Sequence, residues 1–564
     1  MKNKKYLKRC WVKELLKQNI KSSTDLMAAK RRLAKKYGVG IIRNSDILKF
    51  IKNVKSPQPP LIKGVIRILR KRAVRTLSGV APVAVLVKPF PCPGKCVYCP
   101  TEKGVPQSYL SNEPAVMRAI DCDYDPYKQV QYRLKALEAN GHEPTKIEII
   151  VIGGTWSVLP EKYKYWYIKE CFRAANDYQN QKSKIKNQND SLKLKIDKLK
   201  NLLFKEQKKN EKSKYKIIGL TLETRPDYIN EKEILEMREL SCTRVELGVQ
   251  AVDNKILAKN LRGHGVKEIA EATKLLKNYG FKVTYHIMPG LSGSTQIKDL
   301  KMFKMLFSDE RFRPDQIKFY PTVVTRGSLL YKWWRDGKYK PYSNKALESL
   351  IIDCKKAVPE YVRIVRLIRD IPTESIVAGN KITNLRQILE QRGVECRCIR
   401  CRECRDVAVQ RLYGGRFKLG IIKYKASGAE EYFLQFTNKG GNILYGFCRL
   451  RLPIVPLAKG DVRGFKKSGI NPPAPLYKGG ELFALIRELH VYGELVPVGK
   501  NNHRRGGAIK IQHAGLGKKL MKEAEKIARQ SGFKKIAVIA GVGAREYYRK
   551  LGYGQEDSYM IKSL

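Results

Sequence analysis

Cys92-Pro-Gly-Lys-Cys96-Val-Tyr-Cys99 puts three thiols on one short segment that follows an apolar, strand-like run. Three thiolates on one loop can hold three irons of a 4Fe-4S cluster and leave the fourth iron open. An open iron can take the amino and carboxylate groups of S-adenosylmethionine, whose one-electron reduction gives a 5′-deoxyadenosyl radical. A zinc knuckle completed by a distant fourth ligand would use the same residues. The three-then-two spacing, the aromatic Tyr98 and the place after a first strand favour the iron–sulfur reading.

A second group, Cys396-Arg-Cys398-Ile-Arg-Cys401-Arg-Glu-Cys404, sets four thiols among arginines. Cationic neighbours favour thiolates, and four sulfurs match structural zinc. Cys-x-Cys is tight around one tetrahedral ion, so Cys396, Cys398 and Cys401 are expected as ligands, with Cys404 or a distant residue as the fourth. A second iron–sulfur cluster is the alternative. Neither requires catalysis; the expected task is to fix two domains relative to each other. Farther on, Gln512-His-Ala-Gly515-Leu516-Gly517 runs into a helix from Lys518. Successive backbone amides at a glycine-rich helix start form a nest suited to a diphosphate.

These groups need elements to position them. Between Val80 and about Pro372, apolar runs at 83–87, 147–152, 217–222, 245–249, 283–287, 317–320 and 362–368 alternate with helix-length stretches. That pattern predicts an α/β fold with a parallel sheet, closed or partly closed into a barrel, and active residues at the carboxyl ends of its strands. Gly153-Gly154, Glu223-Thr-Arg225, Glu246-Leu-Gly-Val-Gln250, His286 and Lys318 all fall at such ends. The glycine pair lets backbone approach a cofactor. Glu223, Arg225, Glu246 and Gln250 can meet ribose hydroxyls, a carboxylate or base edges, though each could equally close a strand-end salt bridge. His286 and Lys318 are the catalytic candidates of this mouth.

Residues 1–79 are densely basic with helical periodicity at Trp11, Leu15, Leu16 and Ile20 and again at Leu26, Ala29 and Leu33, a small helical module. Its Lys30-Arg31-Arg32 and Arg67–Arg75 runs suit phosphate contacts. Residues 80–375 form the expected barrel, interrupted by a Lys/Asn-rich insertion at 177–216 read as a surface helix or hairpin without chemistry. Residues 376–410 form the Cys-rich linker and 411–564 a second α/β domain. The chain carries 112 Lys+Arg against 53 Asp+Glu, a net charge of +59 that points to a polyanion such as nucleic acid. An AT-rich coding bias would raise lysine in the same way, so charge alone does not define the partner. Thirteen cysteines, an odd number in clusters, are read as intracellular thiolates. No signal-like or membrane-length apolar stretch is present, which predicts a cytoplasmic protein without a membrane partner.

The barrel motifs resemble the radical S-adenosylmethionine superfamily, and Gln512–Gly517 resembles the Q/R-x-x-G-x-G/A loop of GNAT acetyltransferases, which holds the diphosphate of acetyl-CoA. The preceding strand, Glu488-Leu489-His490-Val491, stands where GNAT domains hold pantetheine by main chain. Tyr547-Tyr548 resembles the tyrosine that protonates or positions the leaving thiolate. In this order the parts resemble the family of catalytic third subunits of the elongator complex, as do Thr221-Leu-Glu-Thr-Arg-Pro-Asp-Tyr, Arg262-Gly-His-Gly and Gly541-Val-Gly-Ala-Arg-Glu-Tyr-Tyr. Two positions depart from that family: Pro100-Thr101-Glu102 replaces proline-glycine-glycine, and Ser292 replaces a proline.

The resemblance implies 5-carboxymethylation of the tRNA wobble uridine, with the deoxyadenosyl radical taking hydrogen from the acetyl methyl of acetyl-CoA. It implies that Lys146 contacts acetyl-CoA and that tRNA, a flavodoxin- or ferredoxin-like reductant and either a second copy or elongator-like subunits are partners. The alternatives are a protein lysine acetyltransferase with a structural iron–sulfur domain, for which Glu488 is the candidate base, and a non-catalytic tRNA-binding scaffold.

Overall fold

The computed structural model describes residues 2–18, 20, 22–53, 68–69, 78–178, 194–404, 417–453, 477–478, 481–493 and 515–564. Gln512, Arg67 and Arg70–Arg75 lie outside these residues, as do residues 179–193 of the Lys/Asn-rich insertion.

Helices α1 (Lys2–Lys17), α2 (Ser23–Lys36) and α3 (Asn44–Asn53) form the amino-terminal module. Trp11, Leu15, Leu26, Ala29 and Leu33, picked out by periodicity, close its own small core with Ile47 and Leu69. Ser22 and Asp25 make a capping box that starts α2. Lys30 turns inward and donates to Asn44 Oδ1 at 2.9 Å, so only part of the first basic run faces outward.

Seven parallel strands follow: β1 (Ala81–Leu86), β2 (Lys146–Ile152), β3 (Lys216–Thr224), β4 (Arg244–Gln250), β5 (Lys282–Ile287), β6 (Gln316–Phe319) and, after the two-residue β7 (Val324–Thr325), β8 (Arg363–Arg366). They pair in the order β1-β2-β3-β4-β5-β6-β8, and β7 pairs with β9 (Ile376–Ala378). Each predicted strand is present. Among the described residues β1 and β8 do not pair, so the sheet curls as a half-barrel instead of closing. Helices α4 (Glu161–Asp177) and α5 (Ile196–Lys212) make the crossover between β2 and β3.

The described part of the insertion is a helix between strands, and its inner face is seated on the main core. Leu199 and Leu203 of α5 are buried in the main core. Asn210 of α5 accepts from Ile217 N at 2.7 Å, pinning the start of β3. The lysines that made the segment look solvated occupy only its outer face. Helix α6 (Val266–Asn278) packs outside β5.

The second domain is a sheet in the order β10-β11-β12-β14-β15-β17-β16. Its strands are β10 (Lys418–Ala426), β11 (Ala429–Thr437), β12 (Leu444–Pro453), β14 (Glu481–Val491), β15 (Lys535–Val538), β16 (Gly554–Glu556) and β17 (Tyr559–Ser563), with β13 (Tyr477–Lys478) paired to β14. It docks on the amino-terminal end of the half-barrel through buried charges. Arg487 Nη1 lies 2.8 Å from Glu431 Oε2 and 3.0 Å from Asp315 Oδ1. Arg451 pairs with Glu431 at 3.0 Å, and Lys277 stands 3.6 Å from the same carboxylate. Asp315 and Lys277 belong to the barrel; the others belong to the second domain.

Candidate cofactor sites of the half-barrel and the second domain

The cysteine loop leaves β1 and is held by two arginines. Arg262 Nη1 donates to Cys96 Sγ at 3.2 Å, and Arg225 bridges Asp227 and the carbonyl of Arg262. The neighbouring Cys99 and the Arg262 charge hold the Cys96 thiol well below its ordinary value. Cys92 Sγ lies 3.8 Å from Thr155 Oγ1. Arg225 Nη1 and Gln250 Oε1 are buried with no hydrogen-bond partner among the described residues, and a Cβ on Gly94 would overlap Arg225 Nη1. Gly153 and Gly154 have φ +126° and +99°, and nothing stands within 4 Å of where a Gly154 Cβ would be. Three free thiols on one loop, unpartnered polar atoms and an open glycine turn fit a 4Fe-4S cluster with S-adenosylmethionine beside it.

Inside the mouth, Glu246 is the hub. His286 Nε2 lies 2.9 Å from Glu246 Oε2, Lys318 pairs with the same oxygen, and His286 Nδ1 is 3.5 Å from Glu223 Oε1. Tyr109 donates to Glu223 at 3.4 Å. Burial opposes the Glu246 charge, yet Lys318 and His286 outweigh it and hold the carboxyl well below its usual range. Burial likewise opposes the Lys318 charge, but Glu246 outweighs it and raises that ammonium. His286 and Lys318 are thus assembled around one carboxylate, as the strand-end reading anticipates. Toward the other end of the barrel, Arg244 continues the chain: it lies 3.7 Å from Glu246 Oε1 and 3.2 Å from Glu148 Oε1, and donates to Gln316 Oε1 at 3.2 Å.

Glu148, Arg244 and Gln316 line a cavity of about 930 Å³ that extends into the second domain. There β14 and β15 pair only over Phe483–Ile486, then separate, while Glu488–Val491 stay bonded to β12 on their other side. The separation exposes one backbone edge of Glu488–Val491. Helix α7 (Leu516–Gln530) starts at the cavity behind Gly515, whose φ is +75°. The first-turn amides of α7 lack intrahelical acceptors and suit a diphosphate. A Cβ on Gly517 would come within 2.7 Å of the Tyr547 hydroxyl, which is buried and has no hydrogen-bond partner among the described residues.

Lys146, Glu488, Leu489, His490, Val491, Gly515, Gly517, Lys518, Tyr547 and Tyr548 all line this cavity. Leu516 does not; its side chain is in the core, leaving only its backbone to the nest. Burial lowers Lys146 to about 8 and raises Tyr547 to about 12. Glu488 is a poor general base: burial opposes its charge, but Lys282 and Arg449 hold it at about 2. His490 Nε2 lies 2.9 Å from the Ser78 carbonyl, so its ring is committed to the barrel side.

Cys396, Cys398 and Cys401 bring their sulfurs within 4.8 Å of one another. Tetrahedral zinc at about 2.3 Å from each sulfur spaces its ligands by about 3.8 Å, close to this arrangement. Cys404 does not join the group; its backbone N–H bonds to the Leu444 carbonyl at 2.9 Å and it sits as a core residue of the joint. The flanking sulfurs of Cys396 and Cys401 draw the Cys398 thiol well below its ordinary value.

Sequence reasoning missed Arg244, Glu148 and Gln316, and named Arg262 only within a family-like motif. Their signal was present: Glu148, Arg244 and Gln316 are polar residues in otherwise apolar strand runs, the mark of a lined barrel interior.

A radical S-adenosylmethionine half-barrel carrying a GNAT acetyltransferase domain is the class this geometry defines. The radical SAM superfamily model matches residues 91–306, the radical SAM C-terminal domain matches 314–395 and the GNAT acetyltransferase family matches 510–553. The chain is 44% identical to a tRNA uridine(34) acetyltransferase of Dehalococcoides mccartyi over 88% of this chain and all of that protein. It is 36% identical to the human elongator complex protein 3, covering 96% of this chain and 93% of the relative. The solved structure of the Methanocaldococcus infernus Elp3 with an N-terminal deletion superposes with a TM-score of 0.66 at 38% identity, covering 86% of this chain and 99% of that one. The chain belongs to the family of elongator complex protein 3 and the tRNA uridine(34) acetyltransferases.

Proposed function

We propose that this enzyme converts the wobble uridine of tRNA to 5-carboxymethyluridine, taking the two added carbons from acetyl-CoA. The observation that carries this reading is the single cavity that runs from the α7 nest and the Tyr547–Tyr548 pair to Lys146, Glu148 and Arg244 inside the half-barrel. A protein acetyltransferase needs an acyl site open to a peptide, whereas here the acyl site opens onto the barrel whose far end carries Cys92, Cys96 and Cys99. Bound there, a 4Fe-4S cluster and S-adenosylmethionine supply a 5′-deoxyadenosyl radical able to take hydrogen from the acetyl methyl.

The chain's own residues do the rest. The amides of Leu516, Gly517 and Lys518 hold the diphosphate. The backbone of Leu489–Val491 holds the pantetheine arm. Lys146 contacts the acyl donor, and Tyr548 or Tyr547 gives a proton to the departing thiolate. Glu223, Arg225, Glu246 and Gln250 orient S-adenosylmethionine, with Gly153 and Gly154 under its methionine part. His286 and Lys318 handle protons at the mouth through Glu246. Cys396, Cys398 and Cys401 hold a structural zinc that fixes the joint, with the fourth ligand supplied by solvent or by a residue outside the described set.

The enzyme works in the cytoplasm with tRNA bound partly by the basic amino-terminal module, draws electrons from a flavodoxin- or ferredoxin-like donor, and assembles as a homodimer or with elongator-like subunits. No helix of the described residues is long and apolar enough to cross a membrane. Cys96→Ala, expressed in cells lacking the wild-type gene, tests the reading by mass spectrometry of wobble nucleosides. Loss of carboxymethyluridine with a folded, tRNA-binding protein supports it; retention of the modified base contradicts it and leaves the scaffold alternative.

A further inference from the structure

The seven residues Leu329–Arg335 form a short helix on the rim of the half-barrel mouth, beside the cysteine loop. Leu330 N donates to the carbonyl of Val97, which lies between Cys96 and Cys99, at 2.7 Å; Thr101 N donates to Gly327 O at 3.1 Å. On its other side the segment is tied to the loop after β5, where the Tyr339 hydroxyl donates to Gly290 O at 2.7 Å. Backbone bonds thus fix this helix to the cluster loop, and the Tyr339 hydroxyl just beyond it holds the segment to the loop that follows His286.

Its outward chemistry is not that of an ordinary surface helix. Tyr331, Trp333 and Trp334 are only half-buried, and the Tyr331 and Trp334 rings are stacked at 6.0 Å and 28°. Leu329 is exposed. Around them, Arg326, Lys332, Arg335, Lys338 and Lys340 are exposed, against the single acid Asp336. Among the described residues Lys338 alone of these five makes an ion pair, to Asp336 at 3.6 Å. Large aromatics half-open to water beside unpaired cations are the combination that holds single-stranded nucleic acid, with bases on the rings and phosphates on the cations.

We propose that Tyr331, Trp333 and Trp334 form a stacking platform for unpaired bases of an RNA loop, and that Lys332 and Arg335 hold the phosphates between those bases. The inference rests on the proposed tRNA substrate and adds where its loop is seated: bases next to the reacting uridine stack on this helix while the uridine enters the adjacent mouth. A base lifted from its neighbours needs a replacement stacking partner, and this is the aromatic surface tied directly to the cluster loop.

The test uses the reconstituted holoenzyme and an RNA stem-loop whose single-stranded loop is roughly the length one such site spans. The chain has five tryptophans, and Trp11, Trp156 and Trp166 are buried, so fluorescence open to quenching by bound bases comes from Trp333 and Trp334. Wild-type fluorescence is expected to fall on titration with the stem-loop and to change far less with a blunt duplex. Trp334→Leu weakens stem-loop binding about tenfold, and Trp334→Phe, which keeps a ring, restores most of it. Should Trp334→Leu fail to fold, Lys332→Glu with Arg335→Glu serves instead, lowering affinity and flattening its salt dependence. Equal affinity of all variants and wild type for the stem-loop overturns the platform. So does loss of self-association on replacing Trp334 with RNA affinity unchanged, which assigns the face to a protein contact. Fluorescence quenching without any modified uridine sinks the functional reading and leaves the platform standing; normal modification by Trp334→Leu with unchanged affinity does the reverse.

Discussion

Arg244 is the residue that ties the two cofactor sites together. It spans from Glu148 at the cavity to Glu246, which in turn holds His286 and Lys318. Replacing it with Met leaves the buried Glu246 and the half-buried Glu148 each short of a partner and lets Glu246 shift. Even a displacement of about 1 Å near a reacting centre costs on the order of 100-fold in rate. We therefore expect Arg244→Met to lower uridine modification by about that factor while iron content and acetyl-CoA affinity stay near wild type; an unchanged rate would remove Arg244 from the account.

Lys146 gives a pH test at the same scale. Its ammonium is held at about 8 by burial, so it loses its charge as pH rises through that value. Acetyl-CoA affinity should fall across that range, and Lys146→Met should bind weakly with a flat profile, as read by calorimetry. Gly517→Ala places a methyl against the Tyr547 hydroxyl and should weaken acetyl-CoA binding about tenfold through displacement of that ring. Tyr547→Phe added to Gly517→Ala should recover part of the loss.

At the scale of elements, the strand readings succeeded because a parallel strand covered on both faces is a continuous apolar run. The glycine-rich start of helix α7 was legible for a similar reason: its glycines must be local to one helix start. The docking of the two domains was not legible. Lys277, Asp315, Glu431 and Arg487 are far apart in sequence, and each alone reads as a surface charge. The interdomain contact of helix α5 was hidden in the same way: Glu211 sits in a Lys/Asn-rich stretch, yet it bonds Arg545 at 3.1 Å and Arg549 at 2.7 Å across the domain boundary. Removing one member of such a buried network leaves an opposite charge uncompensated, at a cost of about 3 kcal/mol or more. Arg487→Met should accordingly lower the thermal midpoint by several degrees, whereas a surface change such as Lys345→Met should not. Lys277 is held at about 8, chiefly by burial, against 10.5 for an ordinary lysine. Between those values the unfolded chain binds the extra proton, so its contribution makes stability rise with pH across that window and is flat below it.

For the whole molecule, the +59 charge and the half-barrel's polar rim argue for a polyanionic substrate. Neutralising about six phosphates would make tRNA affinity fall on the order of 1,000-fold between about 50 and about 200 mM salt. A shallow salt slope would mean that the excess lysine is compositional. Charge could not decide this in the sequence, because coding bias and RNA binding produce the same residue count. The division of labour between the domains was legible from motif order and the family resemblance; the path between them was not, since the cavity is walled by residues from both.

The central claim is that the acyl site serves the radical site. It is tested most directly by anaerobic reaction of the reconstituted enzyme with tRNA, S-adenosylmethionine, a reductant and acetyl-CoA carrying carbon-13 at both acetyl carbons, followed by mass spectrometry of the digested nucleosides. The account predicts wobble carboxymethyluridine containing both labelled carbons, formed only when S-adenosylmethionine is present. Labelled acetyl groups on lysine side chains with unmodified uridine would contradict it.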